Sequence, residues 1–484
     1  MRSSRELACA MASAWLAAGL LSALFGLLQY FGAAAEFAPW INRSDVGEAF
    51  ANLRQRNQFA TLTNMALAAV LWFVAQSGRR RAWWALAAVC LAVGNAASGS
   101  RTGFVQLFML VGLAMIWGAR RKPEVLLVLL AAVLAYVLAT FALPLLGGLD
   151  LSTNGMVARL RTGAPVCASR LTLWGNVLHL IEQKPLTGWG WGELDYGHFI
   201  TLYPGARFCD ILDNAHNLPL HLAVELGLPF ATIACTLALG WVWISKPWRE
   251  TNPTRRLAWA VLALILLHSM LEYPLWYGPF QVAALLCLWT LWTTRSGLHS
   301  VHSTTAGAPQ EDPGPTLVSL WPIGETATAQ ATGRSDVALG GAERAISPSM
   351  RIGLISVSTA LLLFIAYAGW DYWRISQIYL APDQRSPAYR RHTLSKISDS
   401  RLFRNQVRFA ELTTTEVTRD NALHIHRLAE EMLHFSPETR VVEKLIESDL
   451  LLKRDDEALF YQARFRAAFP TEYAAWVKDR AGPE

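Results

Sequence analysis

The sequence predicts an all-α fold, a polytopic bundle of membrane-spanning helices followed by a soluble helical domain. Hydrophobic residues make up 53% of the 484 residues, charged residues make up only 17%, and the mean hydropathy is +0.25. Apolar runs near the length needed to cross about 30 Å of hydrocarbon recur along the chain. This composition excludes the soluble classes of protein. We expect membrane lipids around the chain and no nucleic-acid partner.

Nine apolar runs are predicted to be membrane spans. The first run has no small-residue cleavage site followed by a soluble domain, so we expect it to be a span and not a signal peptide. The predicted spans cover residues 7–30, 58–76, 82–98, 103–118, 124–146, 218–245, 257–271, 277–294 and 352–370.

Basic loops predict the orientation of these spans. Arg79–Arg81, Arg120–Lys122 and Lys246–Arg256 each follow an even-numbered span, and the N-terminal MRSSRE is basic too. Short loops rich in Arg and Lys remain in the cytoplasm. The N-terminus is therefore predicted to be cytoplasmic, and the long loop 147–217 is predicted to lie on the outer side.

The remaining chain is predicted to be a linker, a last span and an outer domain. Residues 295–350 are rich in Gly, Pro, Ser, Thr and Ala, which predicts a flexible cytoplasmic linker between the membrane domain (residues 1–294) and the span 351–370. In 371–484, NALHIHRLAEEMLHFSP and DEALFYQARFRAAFP show apolar residues at helical spacing and end at a proline. This outer domain loosely resembles tetratricopeptide repeats. It either covers the membrane domain or binds a partner.

Arginines on the predicted outer side are candidates for ligand binding. Arg54 and Arg56 lie just before a span, and Arg101 lies in the short tip ASGSRTGF. An arginine near the bilayer centre costs about 2.5–3.5 kcal/mol, so such positions need a reason. Two interpretations remain open: contact with anionic headgroups, or an anionic ligand such as a lipid-linked pyrophosphate, whose oxygens suit a guanidinium. The other outer cations are Arg43, Arg159, Arg161, Arg170, Lys184 and Arg207.

His216 is the leading candidate for chemistry. It lies at the start of the sixth span in LDNAHNLPLHLAVELGLP, where Asn217 is a suitable helix cap and Pro219 suits the first turn. A lone histidine is more often structural than catalytic, but the Arg- and Trp-rich surroundings, including GWGWGE, favour a general base. The other outer polar candidates are Gln55, Glu193, Asp195, Asp210, Asp213, Glu272 and Tyr273.

Serine-nucleophile and metal chemistry are disfavoured. No serine lies in a strand-to-helix elbow, and neither DxD nor HExxH occurs in the outer loop. The six cysteines form neither a zinc spacing nor a CxxC motif. We therefore expect no metal and no cofactor.

Four sequence blocks together resemble the bacterial O-linked protein oligosaccharyltransferases. These enzymes are the pilin-glycosylation ligases within the O-antigen ligase and polymerase superfamily. The blocks are NLRQRNQFATL (52–62), SRLTLWGNVLHLIEQKPLTGWGWGE (169–193), DNAHNLPLHLAVELGLP (213–229) and LHSMLEYPLWYGPF (267–280). The third and fourth blocks are the more specific to the protein-glycosylating branch.

The resemblance implies a metal-independent, inverting GT-C-type glycosyltransferase in the bacterial inner membrane. It would take a preassembled oligosaccharide from an undecaprenyl-pyrophosphate carrier on the periplasmic face. The acceptor would be a Ser or Thr hydroxyl of a pilin-like or other periplasmic protein. The active site and the C-terminal domain are expected to be periplasmic.

The resemblance also suggests roles for particular residues. His216 matches the essential histidine of the family, and Gln55 and Tyr273 match its other functional positions. Arg170 and Arg101 match arginines that engage the pyrophosphate. Further candidates for pyrophosphate binding are Arg54, Arg56 and Arg207, and candidates for support are Asn217, Asp213, Glu272, Trp189 and Trp191. The two tryptophans would stack on sugars or belong to an interfacial aromatic belt.

Two cysteines fit the implied location. Cys167 and Cys209 both lie in the outer loop, whereas the other four cysteines lie within predicted spans. Because the periplasm is oxidising, we predict a disulfide between them.

Several alternatives share elements of this interpretation. An O-antigen ligase would use a lipid A-core acceptor, and a polysaccharide polymerase would use a second lipid-linked glycan. The LEYPLWY block and the C-terminal domain favour a protein acceptor by family analogy. A lipid-linked sugar transporter is less favoured, because the spans carry few charges at mid-depth and show no internal repeat. A non-catalytic scaffold is a third class.

The number of spans differs from the family pattern. Family members have about a dozen spans, several of which precede the RQRN block. Only one predicted span precedes that block here. We therefore expect that the chain lacks N-terminal spans.

Overall fold

The computed structural model describes residues 2–77, 81–150, 155, 165–294 and 348–481, and within these ranges it is helical without β-strands. The predicted all-α fold is therefore confirmed. The helices are α1 (Arg2–Tyr30), α2 (Arg56–Ser77), α3 (Arg81–Ala97), α4 (Arg101–Ile116), α5 (Pro123–Leu146), α6 (Arg170–Gln183), α7 (Leu194–Ile200), α8 (Leu218–Ser245), α9 (Pro253–Ser269), α10 (Gly278–Thr293), α11 (Pro348–Ser376), α12 (Thr393–Ile397), α13 (Arg404–Thr414), α14 (Ala422–Leu433), α15 (Thr439–Leu451), α16 (Asp455–Ala468) and α17 (Pro470–Ala481).

Each of the nine predicted spans coincides with one of these helices. Among the described helices, α1, α2, α5 and α8 are long and apolar enough to cross a membrane, and α3, α4 and α10 are shorter apolar helices. The chain is a multi-pass membrane protein. The number of nine crossings stays a prediction, because α3, α4, α9, α10 and α11 do not meet the criteria of length and composition that α1, α2, α5 and α8 meet.

The chain divides into two compact units, Met1–His299 with Thr415–Glu484, and Ser300–Thr414. Helices α14–α17 thus belong to the same unit as α1–α10, whereas α11 belongs to the other unit and the sequence predicted one C-terminal domain from residue 371. The predicted linker 295–350 lies outside the described residues except for its last three positions. Arg79, Arg80, Arg159 and Arg161 also lie outside them.

Small residues bring α1, α2 and α3 into close contact. A Cβ added at Gly19 would lie 2.4 Å from the Ala66 side chain, and one added at Gly94 would lie 2.7 Å from Ala23. Close backbone approach of this kind is how membrane helices gain packing energy, because lipid offers no hydrophobic drive for their association. The bundle core is thereby built around α2 and α9, which are both largely buried.

A buried polar network ties α2, α4 and α9 together. Thr61 Oγ1 lies 2.9 Å from His268 Nδ1, and the Gln106 side-chain amide donates to the Leu264 carbonyl at 2.9 Å. Polar groups at this depth are costly unless they are hydrogen-bonded to one another. The network therefore fixes the register of three helices whose outer ends carry candidate residues.

The C-terminal helices pack through the apolar residues that predicted them. Ile425, Leu428 and Met432 of α14 are buried, as is Phe465 of α16. The two predicted helical segments correspond to α14 and α16, and α15 lies between them in the chain. The relation to tetratricopeptide repeats remains a prediction.

Residues 348–414 are the described residues of the second unit. Arg374 at the end of α11 bonds Asp371 at 2.8 Å and Asp399 at 2.7 Å. Ile375, Ile397 and Val407 form a small apolar core beside this ion pair. The unit therefore has a buried centre of its own.

Candidate active site

Two residues from separate sequence blocks, His216 and Arg170, contact the carboxylate of a third residue, Glu272. His216 precedes α8, Arg170 begins α6, and Glu272 lies in the turn after α9. His216 Nδ1 lies 2.6 Å from Glu272 Oε2, and the Arg170 guanidinium pairs with Glu272 Oε1. The Glu272 side chain is only 10% exposed. Glu272, which the sequence indicated as one of several outer polar candidates and as a supporting residue, is the centre of the cluster.

The surroundings of Glu272 keep it ionised. Burial acts to raise its pKa, but the hydrogen bond with His216 and the charge of Arg170 outweigh burial, so that the pKa of Glu272 is below its usual value. A carboxylate at Nδ1 of a neutral imidazole receives the Nδ1 hydrogen and leaves a lone pair on Nε2. Nε2 of His216 is therefore the atom that can accept a proton.

The backbone at His216 is held in an uncommon conformation. Its φ is +50°, in the left-handed region of backbone conformation that residues other than glycine rarely adopt. Its N–H donates to Asn214 Oδ1 at 2.9 Å, and the carbonyl of the preceding Ala215 accepts from Trp174 Nε1 at 3.1 Å. Such strain persists where the surroundings hold the residue from several sides, which is frequent at active sites.

Asn217 caps α8 as predicted. Its Oδ1 accepts from the Leu220 N–H at 3.1 Å, and Pro219 lies in the first turn. Its Nδ2 donates to the Met270 carbonyl at 3.1 Å, which joins the start of α8 to the end of α9. The cap therefore positions His216 beside Glu272 and also satisfies the helix end.

The start of α2 reaches the same carboxylate, and the start of α4 supports it. Asn57 Nδ2 donates to Glu272 Oε1 at 3.2 Å, and Ser100 Oγ donates to Asn57 Oδ1 at 2.6 Å. Neither residue was singled out from the sequence, although Asn57 directly follows the RQR triplet. Gln55 Oε1 accepts from the Gln58 N–H at 2.7 Å and caps α2.

Tyr273 lies against the candidate base. Its ring meets the His216 ring edge to face, with centroids 4.9 Å apart, and stacks on Tyr277 at 5.8 Å. Burial raises the pKa of its hydroxyl above the usual value, so the hydroxyl stays protonated. Gln55 and Tyr273 line the same small cavity, together with Glu272.

The other predicted arginines differ in what they contact. Arg56 pairs with Glu48 at 2.6 Å, and Arg207 donates to the Thr201 and His198 carbonyls at 2.9 and 2.8 Å. Both terminal nitrogens of Arg207 thus donate hydrogen bonds to carbonyls of its own segment of chain. Arg54, Arg101 and Asp213 are exposed. Of the predicted anion-binding residues, Arg54 and Arg101 at the starts of α2 and α4 are therefore the most accessible.

The two tryptophans of GWGWGE have different surroundings. Trp189 donates from Nε1 to the Leu180 carbonyl at 3.0 Å and carries Lys184 over its ring at 4.0 Å. Trp191 is 63% exposed and stacks against Trp276. Trp189 is thus engaged in loop packing, whereas most of the Trp191 side chain is exposed.

Cys167 and Cys209 are joined by a disulfide, with Cα atoms 5.2 Å apart. The bond closes a loop with a sequence separation of 42 residues, and Cys167 lies three positions before Arg170. The cross-link therefore anchors the segment that leads into α6. The other four cysteines are free.

One cluster among the described residues has the spacing of metal ligands. It comprises His426, Asp449 and Glu457 in the C-terminal helices. Arg454 Nη1 lies 2.8 Å from His426 Nε2 and 3.2 Å from Glu457. A guanidinium thus already supplies the positive charge that these groups attract.

Three family models match the chain in succession. A model described as protein glycosylation ligase matches residues 49–73, one described as O-antigen ligase matches 86–235, and one described as virulence factor membrane-bound polymerase, C-terminal, matches 256–481. Every sequence block that carried the resemblance lies inside one of these segments.

Two curated relatives, both from Acinetobacter baylyi, are also similar. A protein named ComP-specific O-oligosaccharyltransferase is 24% identical over 239 residues, which are 49% of this chain and 42% of the relative. A protein named General O-oligosaccharyltransferase is 25% identical over 279 residues, 54% of this chain and 47% of the relative. The chain thus spans about half the length of these relatives. No solved structure matches the chain significantly.

Proposed function

Because these matches confirm the resemblance to the protein-glycosylating branch of the O-antigen ligase superfamily, we propose that the protein is an O-oligosaccharyltransferase. It transfers an oligosaccharide from an undecaprenyl-pyrophosphate carrier to a Ser or Thr hydroxyl of a pilin-like or other periplasmic protein. The observation that carries this proposal is the contact of His216 Nδ1 with the buried Glu272 carboxylate at 2.6 Å. This contact leaves Nε2 available as a general base.

The proposed reaction needs one proton transfer and one displacement. His216 Nε2 accepts the proton of the acceptor hydroxyl while the oxygen attacks the anomeric carbon. The bond from that carbon to the diphosphate breaks, the diphosphate leaves with the electron pair, and the configuration inverts. Glu272 stabilises the imidazolium that forms, as the carboxylate does in a Ser-His-Asp triad. General-base assistance of this kind contributes about 10²–10⁴-fold in rate.

Stabilisation of the leaving diphosphate is the larger contribution. The exposed guanidinium groups of Arg54 and Arg101 are the proposed contacts, and Arg170 adds a charge that it shares with Glu272. A guanidinium suits this task because it donates two parallel hydrogen bonds and retains its charge. An Arg101→Lys enzyme with unchanged donor KM would contradict a bidentate contact from Arg101.

We further propose that the N-terminus and basic loops are cytoplasmic and that the site is periplasmic, in the bacterial inner membrane. In support, Trp117 Nε1 donates to the Pro247 carbonyl at 2.8 Å, so the basic loops after α4 and α8 lie together at one end of the bundle. His216 and Glu272 lie at the opposite ends of α8 and α9. Clustered cations on one side favour that side as cytoplasmic.

The test is transfer by purified protein in proteoliposomes that contain lipid-linked oligosaccharide. A pilin-like protein and lipid A-core are offered as alternative acceptors. We expect glycosylated pilin-like protein, and a loss of at least about 10²-fold in His216→Ala. His179→Ala, a half-exposed histidine of α6, is the matched control and should retain activity.

The outcomes separate the candidate functions. Product on lipid A-core alone would make the protein an O-antigen ligase. Full transfer by His216→Ala would exclude His216 as the base. Absence of transfer to either acceptor by the wild-type chain would contradict the proposed activity.

A further inference from the structure

Two tryptophans from separate blocks form an exposed stacked pair. Trp191 lies in the loop after α6, and Trp276 lies in the short turn before α10. Their ring centroids are 6.0 Å apart, and the ring planes differ by 17°. Trp191 is 63% exposed and Trp276 is 40% exposed. Large aromatic surfaces left open in this way are suited to binding a ligand with a flat apolar face.

A buried polar pair holds the rings from below. The His221 ring packs edge to face on Trp276 at 4.7 Å and also contacts Trp191 at 6.2 Å. His221 Nε2 lies 3.3 Å from Glu225 Oε2, and both side chains are only 2% exposed. Burying two polar groups is costly unless each has a partner, and Glu225 Oε2 makes no hydrogen bond among the described residues, so its close approach to His221 is its electrostatic compensation. The pair restricts the orientation of the His221 ring and, through it, of Trp276.

The loop that carries Trp191 is also fixed by its backbone. The Trp189 N–H donates to the Val224 carbonyl at 2.9 Å, and the Gly190 N–H donates to the Glu225 carbonyl at 3.0 Å. Both carbonyls belong to α8, next to its break at Gly227. The exposed ring of Trp191 thus extends from an ordered loop. A preorganised surface binds with less loss of entropy.

The Trp191–Trp276 pair lies next to the candidate base. His221 Nδ1 accepts the Ala215 N–H at 3.4 Å, and Ala215 directly precedes His216. On the other side, Trp276 follows Tyr273 by three residues, and the Tyr273 ring is 4.9 Å from that of His216. In the proposed reaction the anomeric carbon must lie within reach of His216. The sugars of the donor therefore occupy this neighbourhood.

We propose that Trp191 and Trp276 form a carbohydrate subsite, which binds the apolar C–H face of a pyranose ring in the donor oligosaccharide. The inference rests on the proposed function, because it takes the donor glycan as ligand. The His221–Glu225 pair positions the subsite and does not touch the sugar. The interaction contributes ground-state binding, so its loss raises donor KM more than it lowers kcat.

The chain contains a matched control pair. Trp289 and Trp292 of α10 are likewise exposed and have ring centroids 5.2 Å apart. They lie at the end of α10 where Arg255 donates to the Leu291 carbonyl at 2.7 Å, away from His216. If both pairs belonged only to an aromatic belt at the membrane interface, replacing either pair would have the same effect on donor KM. A sugar subsite makes only Trp191 and Trp276 sensitive to the glycan.

The first experiment measures donor KM and kcat in proteoliposomes. Trp191→Ala and Trp276→Ala should each raise donor KM about tenfold, as expected from 1.4 kcal/mol of stacking. Trp276→Phe should retain an intermediate KM, and Trp289→Ala should match wild type. Thermal unfolding of each variant checks that the fold is retained. Equal KM in all variants, or an equal rise in Trp289→Ala, would overturn the subsite.

The second experiment separates this inference from the proposed function. Free oligosaccharide released from the lipid carrier is titrated into the full chain carrying His216→Ala, and binding is followed by saturation-transfer NMR. We expect measurable binding that weakens about tenfold when Trp276→Ala is added. Unchanged affinity contradicts the subsite even if transfer by the wild-type protein is normal. Absent transfer with intact, tryptophan-dependent binding contradicts the transferase proposal alone.

Discussion

At the scale of single residues, Glu272 receives contacts from three separate elements. His216, Arg170 and Asn57 all bond its carboxylate, so it orients the base and also neutralises a guanidinium. Replacing one carboxylate oxygen by an amide keeps the shape but removes the charge. Its effect on His216 can then be measured without opening a cavity.

Glu272→Gln is expected to lower kcat by about 10² to 10⁴-fold, because His216 loses the partner that fixes its tautomer and stabilises the imidazolium. Donor KM should change less than kcat. The measurement is steady-state transfer in proteoliposomes, with the exposed Glu182→Gln of α6 as a control. A Glu272→Gln enzyme with wild-type kcat would show that the contact at 2.6 Å is not used in catalysis.

The partly buried Asp195 carboxyl predicts that the stability of the fold depends on pH. Burial raises its pKa from 3.8 to about 7, and the charges of Glu193 and Asp213 add to the rise. The folded state thus binds the proton more tightly than the unfolded chain, so stability is lost as pH rises from about 4 to about 7. The loss amounts to at most about 4 kcal/mol, at 1.36 kcal/mol per pKa unit.

Asp195→Asn is therefore expected to unfold at a higher temperature than wild type at pH 8, and at a similar temperature at pH 4. Thermal unfolding in detergent at both pH values measures the difference. Asp195 and Asp210 line one small cavity, and the Asp210 carboxylate is exposed, so Asp210→Asn serves as the control. Equal gains at the two pH values would mean that the ionisation of Asp195 does not destabilise the fold.

At the scale of elements, α8 is interrupted where the loop after α6 meets it. Gly227 has φ +85° and ψ 160°, and Pro229 follows it. A proline leaves backbone groups of its helix without their usual partners, and such groups inside a membrane must be bonded elsewhere. The Leu228 N–H donates to the Pro185 carbonyl at 2.8 Å, and the Gly190 N–H donates to Glu225. The loop thus provides the hydrogen bonds that the break removes.

Gly227→Ala is expected to disrupt this junction. An added Cβ would lie 2.2 Å from the Leu186 carbonyl oxygen, and the backbone there is accessible essentially only to glycine. Gly240→Ala in the same helix meets nothing within 4 Å and should stabilise α8 by about 1 kcal/mol. Thermal unfolding and the yield of folded protein compare the two variants. Similar behaviour of the two would contradict the close approach at Gly227.

The elements also show which features could be predicted from the sequence. Hydropathy located the helices, and local capping chemistry located the start of α8 at Asn217, because both signals act over a few neighbouring residues. The meeting of Arg170, His216 and Glu272 was not predictable in this way, since 102 and 56 positions separate Arg170 and His216 from Glu272. Family resemblance named Arg170 and His216, but only the fold reveals Glu272 as their shared partner and Asn57 as a fourth member.

At the scale of the whole molecule, the C-terminal helices contact the predicted outer loop. His434, which follows α14, stacks on Tyr196 at 3.9 Å and bonds Glu193 at 2.6 Å. Arg464 of α16 donates to the Ile200 carbonyl at 2.8 Å. These contacts require the loop and helices α14 and α16 to lie on the same side of the membrane, whichever side that is. This requirement is a stronger constraint on topology than the charge of any one loop.

Labelling of single cysteines tests that constraint and the orientation together. In a chain whose four free cysteines are replaced by serine, Leu202→Cys and Asp456→Cys should react with a membrane-impermeant maleimide on intact spheroplasts, because both positions are exposed on the proposed periplasmic side. Arg249→Cys, exposed in a basic loop, should react only after permeabilisation. If only Arg249→Cys were labelled on intact spheroplasts, the proposed orientation would be reversed, but the contacts between the C-terminal helices and the outer loop would stand. Labelling of Leu202→Cys and Asp456→Cys from opposite sides would contradict the contacts of α14 and α16 with the outer loop, and with them the placement of the C-terminal helices beside the site.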